Sequence, residues 1–223
     1  MKIFIFSFLT ILLLFLCYKL TEYLTSYDRL IDKFEQSINE NNAKDLSRLL
    51  SSNDNNLEIN ERTVIGLLKY YNKHHDEKKS AVKLLKEQSE GIPIDKMPND
   101  EEKVKKIIYE LAGGGIVNIH KKGKFLFFDT YELFINPVYL KLGTNFKNTV
   151  LYVDGEEIGR ADKSKFVSEF GPFVPGYHLL EAKLKTDKTE LHSKEVILLT
   201  NISEIEQEYI FIRADEIPKS VNN

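Results

Sequence analysis

The alternation of apolar and polar positions changes character twice along the chain. Ile3–Tyr18 carries no charged residue and is interrupted only by Ser7 and Thr10; beyond Lys19 and Glu22 the apolar run continues through Leu20, Tyr23 and Leu24. At about 1.5 Å per residue, a helix from Ile3 to Leu20 reaches about 27 Å, close to the roughly 30 Å of hydrocarbon in a bilayer. An exposed helix this apolar would be insoluble, so residues 1–24 predict a transmembrane anchor. Lys19 reaches the headgroups through its aliphatic stem, and Tyr18 and Tyr23 suit the interface. A secretory signal would carry a shorter apolar core and a small-x-small cleavage site, and neither is present. Cys17 follows Leu14-Phe15-Leu16, where a lipid-attachment site calls for a small residue, and reads as a small apolar group facing lipid.

Residues 25–90 then show helical periodicity. Leu30, Ile31, Phe34 and Ile38 form one stripe, and Asn41 or Asn42 caps a second helix with Ala43, Leu46, Leu49 and Leu50 inward. The run Asn53-Asp54-Asn55-Asn56 reads as a loop, because these side chains compete for their own backbone. Asn60 caps a third helix that turns Val64, Ile65, Leu67, Leu68 and Tyr71 inward. Ala81, Val82, Leu84 and Leu85 mark a fourth over 77–89. Short connections predict antiparallel neighbours and a small helical bundle. Gly91, Pro93 and Pro98 break the pattern, a short helical stretch resumes at 101–110, and Gly113-Gly114-Gly115 ends it; 91–115 is read as the linker.

From residue 116 the period becomes two. His120-Lys121-Lys122-Gly123 reads as a hairpin turn between two short strands, and Pro137 marks an edge or bulge in the run 131–142. Asp154-Gly155 is a strong two-residue hairpin turn, since both residues tolerate positive φ. Further strands are expected near 165–170, 177–186, 189–199 and 205–213. Asp187-Lys188 is the tightest connection between two of them. Leu180, Ala182 and Leu184 share one face of their strand, while Glu181, Lys183 and Lys185 share a wet one. Residues 116–215 thus predict a sandwich-like β domain, as one unit or as two modules at 116–147 and 148–215, followed by a tail at 216–223. The fold class is α+β: transmembrane helix, helical bundle, all-β module.

Composition narrows the function more than it defines it. A net charge of −3 over 223 residues, with 29% charged and 42% hydrophobic, argues against a disordered tail and against a nucleic-acid binder. The single Cys forms no disulfide within the chain and no thiolate metal site, in keeping with an extracytoplasmic location. Five histidines are present, and no His-Glu-x-x-His or His-x-His spacing supports zinc. The His74-His75 pair reads as solvent-facing, and His178 as semi-buried. No nucleophile motif of the Gly-x-Ser-x-Gly or Ser-x-x-Lys kind occurs, so no catalytic residue, metal ligand or cofactor is assigned. The triplet Gly113–Gly115 lacks a following Lys-Ser/Thr and reads as a joint. The alternating Glu204, Glu206 and Glu208 read as a solvated edge. Lys121, Lys122 and Lys124 cluster on the first hairpin and offer a docking patch for anionic wall polymer or lipid headgroups.

The strand region also carries a resemblance. His-Lys-Lys-Gly-Lys-Phe-Leu-Phe-Phe-Asp-Thr-Tyr at 120–131, Pro137-Val-Tyr, Thr144-Asn-Phe-Lys-Asn, Leu151-Tyr-Val-Asp-Gly and Phe-Gly-Pro-Phe-Val-Pro-Gly-Tyr at 170–177 resemble the TcaA/YvbJ-type membrane proteins of Gram-positive bacteria. The segment 150–185 is similar to PEGA-like β modules. The resemblance covers most of 26–213. It implies a single-pass envelope protein with extracytoplasmic domains, associated with cell-wall homeostasis and glycopeptide response, and offers no catalytic residues. Family members commonly carry a cytoplasmic zinc ribbon before the membrane helix and further domains after the β region; here only Met1-Lys2 precede the helix.

The expectation is therefore a single-pass protein of the cell membrane, N-terminus cytoplasmic by the weak bias of Lys2, with residues 25–223 extracytoplasmic and bound to wall polymer or a membrane partner. Contact is expected at Lys121, Lys122, Lys124, Phe173 and Tyr177, with Asp154, Gly155, Gly171, Pro172, Pro175 and Gly176 shaping turns. A purely structural family member without ligand and an envelope hydrolase with an unrecognised site stay open.

Overall fold

The computed structural model describes residues 2–90, 103, 105, 115–186 and 190–200. The elements run α1 (Lys2–Thr25), α2 (Tyr27–Asn39), α3 (Ala43–Leu49), β1 (Leu50–Ser51), α4 (Ile65–Lys73), α5 (His75–Glu90) and β2 (Val117–Phe125). They continue with β3 (Phe128–Ile135), β4 (Val138–Thr144), β5 (Val150–Val153), β6 (Glu156–Arg160), β7 (Phe166–Phe173), β8 (Gly176–Lys185) and β9 (Glu190–Leu199). The chain is α+β, and α1 is long and apolar enough to cross a membrane over Ile5–Thr25. The strand expected at 205–213, the Asp187-Lys188 turn, Glu204, Glu206, Glu208, Gly113 and Gly114 lie outside the described residues.

Two compact units emerge: Met1–Ser51 with Asp76–Phe134, and Ser52–His75 with Ile135–Asn223. In the first, Ser26 caps α2 by accepting from the Arg29 N–H, and Asn42 caps α3 by accepting from the Asp45 N–H. Ile31, Phe34, Ile38, Leu46 and Leu85 from the helices are fully buried, as Val117 and Leu133 are from the strands. Its sheet has the order β1-β3-β2. Leu50 was expected on a helical stripe. It instead opens β1, parallel to β3 with Leu50 opposite Leu133, and Ser51 Oγ donates to the Leu133 carbonyl.

The first hairpin also differs from expectation. Residues 120–123 do not turn; β2 runs straight through them, and the reversal comes at Leu126-Phe127, with Leu126 at φ 56°. Lys121 pairs with Asp129 at 2.6 Å and Lys122 with Glu132 at 3.0 Å across the two strands. Opposite charges facing each other favour pairing through this stretch over a bend at Gly123.

In the second unit two sheets share one core: β4-β7, and β6-β5-β8-β9. Val138, Leu140, Leu142, Leu151, Val153, Leu180, Ala182 and Leu199 form its interior, with Phe146, Ile158, Phe166, Phe170, Phe173 and Ile197 packed against it. This sandwich-like arrangement follows from alternation on each strand. The Asp154-Gly155 turn joins β5 to β6 with φ values of 51° and 83°, as its residue types demand.

Helix α4 groups with these strands. It starts after a turn in which Asn60 Oδ1 accepts from the N–H groups of Arg62 and Thr63. Val64, Leu67, Leu68 and Tyr71 are buried on one stripe, whereas Ile65, expected inward, is exposed because it points about 100° away from that stripe. The wet face assigned to β8 also needs correction. Glu181 is covered, its Oε1 lying 2.7 Å from Lys194 Nζ and 3.0 Å from His192 Nε2 on the neighbouring strand. The Lys194 hydrogen bond holds this carboxyl below its usual range against the effect of burial, with His192 and the charge of Lys183 adding to it.

Candidate functional site

The second unit contains an open cavity of about 440 Å³. Its apolar wall is Ile158 from β6 with Phe170 and Phe173 from β7 and Val174 beyond it; Glu58, Arg62, Asp154, Glu156 and Glu169 supply the polar rim. Three loops and strand ends converge because each is tied down separately. Asp54 takes the Tyr139 hydroxyl at 2.7 Å and the Asn56 N–H at 2.9 Å, which fastens the 52–60 loop to β4. Those two donors, Asn56 first, hold the Asp54 carboxyl below its ordinary range. Arg62 forms an ion pair with Glu156 across the cavity mouth.

At the inner end lies His178, 4% exposed. Its Nδ1 is 2.7 Å from Asp154 Oδ2, and its Nε2 is 2.8 Å from the Val174 carbonyl oxygen. A carbonyl only accepts, so Nε2 carries a proton; the carboxylate also accepts, so both bonds hold together when Nδ1 carries one as well. The other Asp154 oxygen accepts from the Leu179 N–H at 2.9 Å. Burial pushes the Asp154 carboxyl up, but the hydrogen bonds from His178 and Leu179 and the charges of His178 and Lys69 outweigh it, and the net shift is downward. With both ring nitrogens engaged, the imidazole holds the β5–β6 turn against β8 and has no free lone pair for an incoming substrate.

The expected contact residues separate. Phe173 lines the cavity, and Gly171 and Pro172 form its edge. Tyr177 does not line it; its hydroxyl meets His74 Nε2 at 2.8 Å, and Lys73 Nζ sits 4.5 Å from its ring centroid. His74, expected in solvent, is therefore half-buried and partnered, while His75 is exposed. Lys121 and Lys122 belong to the first unit and spend their charge on Asp129 and Glu132; Lys124 is exposed.

Gly176 proves to be more than a turn former. It has φ 144°, and a Cβ there would stand 2.3 Å from the Gly66 carbonyl carbon and 2.4 Å from the Leu67 nitrogen. Gly171, at φ 139°, is likewise crowded by Tyr139 and the Val138 carbonyl. Sequence reasoning missed the His178–Asp154 pair and the Gly66–Gly176 contact. The only available signal was that a histidine and several glycines stood in strand or helix pattern where they add no propensity. Among the described residues no three His, Cys, Asp or Glu side chains converge to hold a metal.

A membrane-length helix leading into helices and a two-sheet β module defines a membrane-anchored α+β protein. The chain belongs to the TcaA/YvbJ-type family of membrane proteins. Residues 27–135 match the model of the TcaA protein second domain, and residues 129–210 that of the TcaA protein 3rd/4th domain. The uncharacterized membrane protein YvbJ of Bacillus subtilis (strain 168) is 34% identical over 212 residues, which is 95% of this chain and 31% of that protein. The chain thus spans about a third of the length of this curated relative. No solved structure matches it.

Proposed function

We propose that this protein holds a binding module at the outer face of the cell membrane, with the N-terminus cytoplasmic and residues 25–223 outside. There it binds or scaffolds cell-wall polymer or a membrane partner in the response to envelope stress or glycopeptides. The observation that carries this reading is the cavity of the second unit, whose aromatic wall at Phe170 and Phe173 adjoins a rim richer in carboxylates than in cations. Aromatic faces take sugar rings or apolar side chains, and carboxylates take amines. The chemistry suits a neutral or amine-bearing wall component better than a polyphosphate. Tethering adds to this by confining the module near partners in the same envelope, which raises their effective concentration.

Full-length protein in nanodiscs, mixed with purified wall sacculi, tests the reading. Wild type is expected to sediment with the sacculi, and Glu58→Lys/Glu169→Lys to sediment about tenfold less, as expected for loss of one or two charge-assisted contacts. Equal sedimentation of the two would remove the cavity as the binding surface. Lys121→Glu/Lys122→Glu serves as the comparison: a larger loss there would return the contact to the basic hairpin. Protease accessibility of residues 26–223 in intact against lysed cells fixes sidedness.

A further inference from the structure

The tip of the β2–β3 hairpin is Phe125-Leu126-Phe127, exposed at 56%, 71% and 90% respectively. Three consecutive large apolar side chains at a two-residue turn cost solubility and contribute nothing to the core, so another surface has to cover them. The contacts of the hairpin with the membrane helix say which. Tyr131 stacks edge-on against Tyr27 just past the end of α1, with centroids 5.5 Å apart. Phe128, three residues nearer the tip, lies 4.9 Å from Tyr18. Between Thr25 and Tyr18 the axis of α1 advances by about 10 Å toward the bilayer centre, and three strand residues also cover about 10 Å. The hairpin therefore runs down alongside α1, and its tip lies at least as deep as Tyr18, seven residues inside the Thr25 end of the membrane-length span Ile5–Thr25.

We propose that the β2–β3 hairpin inserts its tip into the same bilayer that holds α1, forming a second membrane contact. Phe125, Leu126 and Phe127 enter the boundary between headgroups and acyl chains, the depth to which interfacial apolar residues go. Lys124 follows at headgroup level, where its stem lies along lipid and its ammonium meets phosphate. Lys121 and Lys122 stand higher on the strand and stay with Asp129 and Glu132. Two contacts, one spanning and one interfacial, fix the rotation of the first unit about the membrane normal, which a single helix leaves free.

The chain has no tryptophan, so single-Trp variants report directly. Full-length Phe127→Trp and Phe125→Trp are reconstituted in phosphatidylcholine/phosphatidylglycerol vesicles with and without dibrominated acyl chains; Leu14→Trp reports insertion of α1, and Lys44→Trp gives the water-exposed reference. Both tip variants are expected to emit at shorter wavelength than Lys44→Trp and to lose most of their intensity to the brominated lipid, as Leu14→Trp does. Water-like, unquenched emission at the tip beside a quenched Leu14→Trp would overturn the proposal while leaving the anchor intact. Blue-shifted emission that is not quenched, and that grows with protein density, would also overturn it in favour of a second copy covering the tip.

Discussion

Gly176→Ala is expected to destabilise the second unit by on the order of 3 kcal/mol or more, lowering its Tm by roughly 10 °C in a thermal melt of the full-length protein in detergent. Two costs add. The added methyl meets backbone atoms of Gly66 and Leu67 at 2.3 and 2.4 Å, and backbone has no rotamer by which to retreat. The residue also sits at φ 144°, where an L side chain is strained. Gly155→Ala separates these costs: its φ is 83°, but nothing lies within 4 Å of a Cβ there, so only the conformational part of about 1 kcal/mol is lost. Gly66→Ala gives the sharper sign. Alanine favours a helix over glycine by about 1 kcal/mol, yet here its methyl would come within 2.4 Å of the Tyr177 carbonyl oxygen, so the variant should be less stable than wild type. A Gly176→Ala protein melting with the wild type would show that α4 and β8 are not held backbone to backbone.

The second large effect is expected at Asp154. Replacing it with alanine removes the partner of a buried ring nitrogen, at about 1–3 kcal/mol for a donor left unsatisfied, and also that of the Leu179 N–H, which is exposed and can turn to water. Asp154→Asn keeps one acceptor oxygen and should lose roughly half as much. The pH dependence follows from the direction of the shift. The folded Asp154 carboxyl titrates below its ordinary value, so its contribution is complete above the unfolded value of about 3.9 and is lost as pH falls through the folded one. In urea unfolding the gap between wild type and Asp154→Asn should therefore be full at neutral pH and close under acid, below the usual carboxylate range. A gap that stays constant as pH falls through and well below that range would mean the carboxylate charge is not what the pair uses.

Both predictions concern contacts that no local pattern announces. Asp154 was legible as the first residue of a hairpin turn, and the turn is there. Its second task, holding His178, depends on β5 and β8 lying side by side with Val153 opposite Leu180. Gly176 was legible as a turn residue because it follows Pro175, whereas its contact with Gly66 needs α4 to cross the start of β8. The reverse error occurred at Lys121-Lys122-Gly123, where a turn-like composition lies inside a strand. The carboxylates that keep it extended, Asp129 and Glu132, belong to the next strand and carry no turn information of their own. The candidate site suffered likewise: Phe173 could be singled out, but Glu58 and Arg62 on one loop and Glu169 on β7 meet only when the chain folds.

What the amino-acid order determined by itself is the anchor, the cap at Asn42, the strand alternation and the Asp154-Gly155 reversal; Asn60, expected to cap a helix, instead ties the turn before α4, whose first residue follows Val64 without a side-chain cap. Each arises from forces acting within a few residues: hydrocarbon transfer along one helix, a side chain reaching its own backbone, side chains alternating across a pleat. The tertiary structure alone decided that Leu50-Ser51 pairs with Leu133-Phe134, that Glu181 is covered, that His178 is held at both nitrogens, and that Phe128 meets Tyr18. Those outcomes depend on which distant surfaces exclude water together, and an unpaired strand or an isolated histidine holds no record of its eventual neighbour.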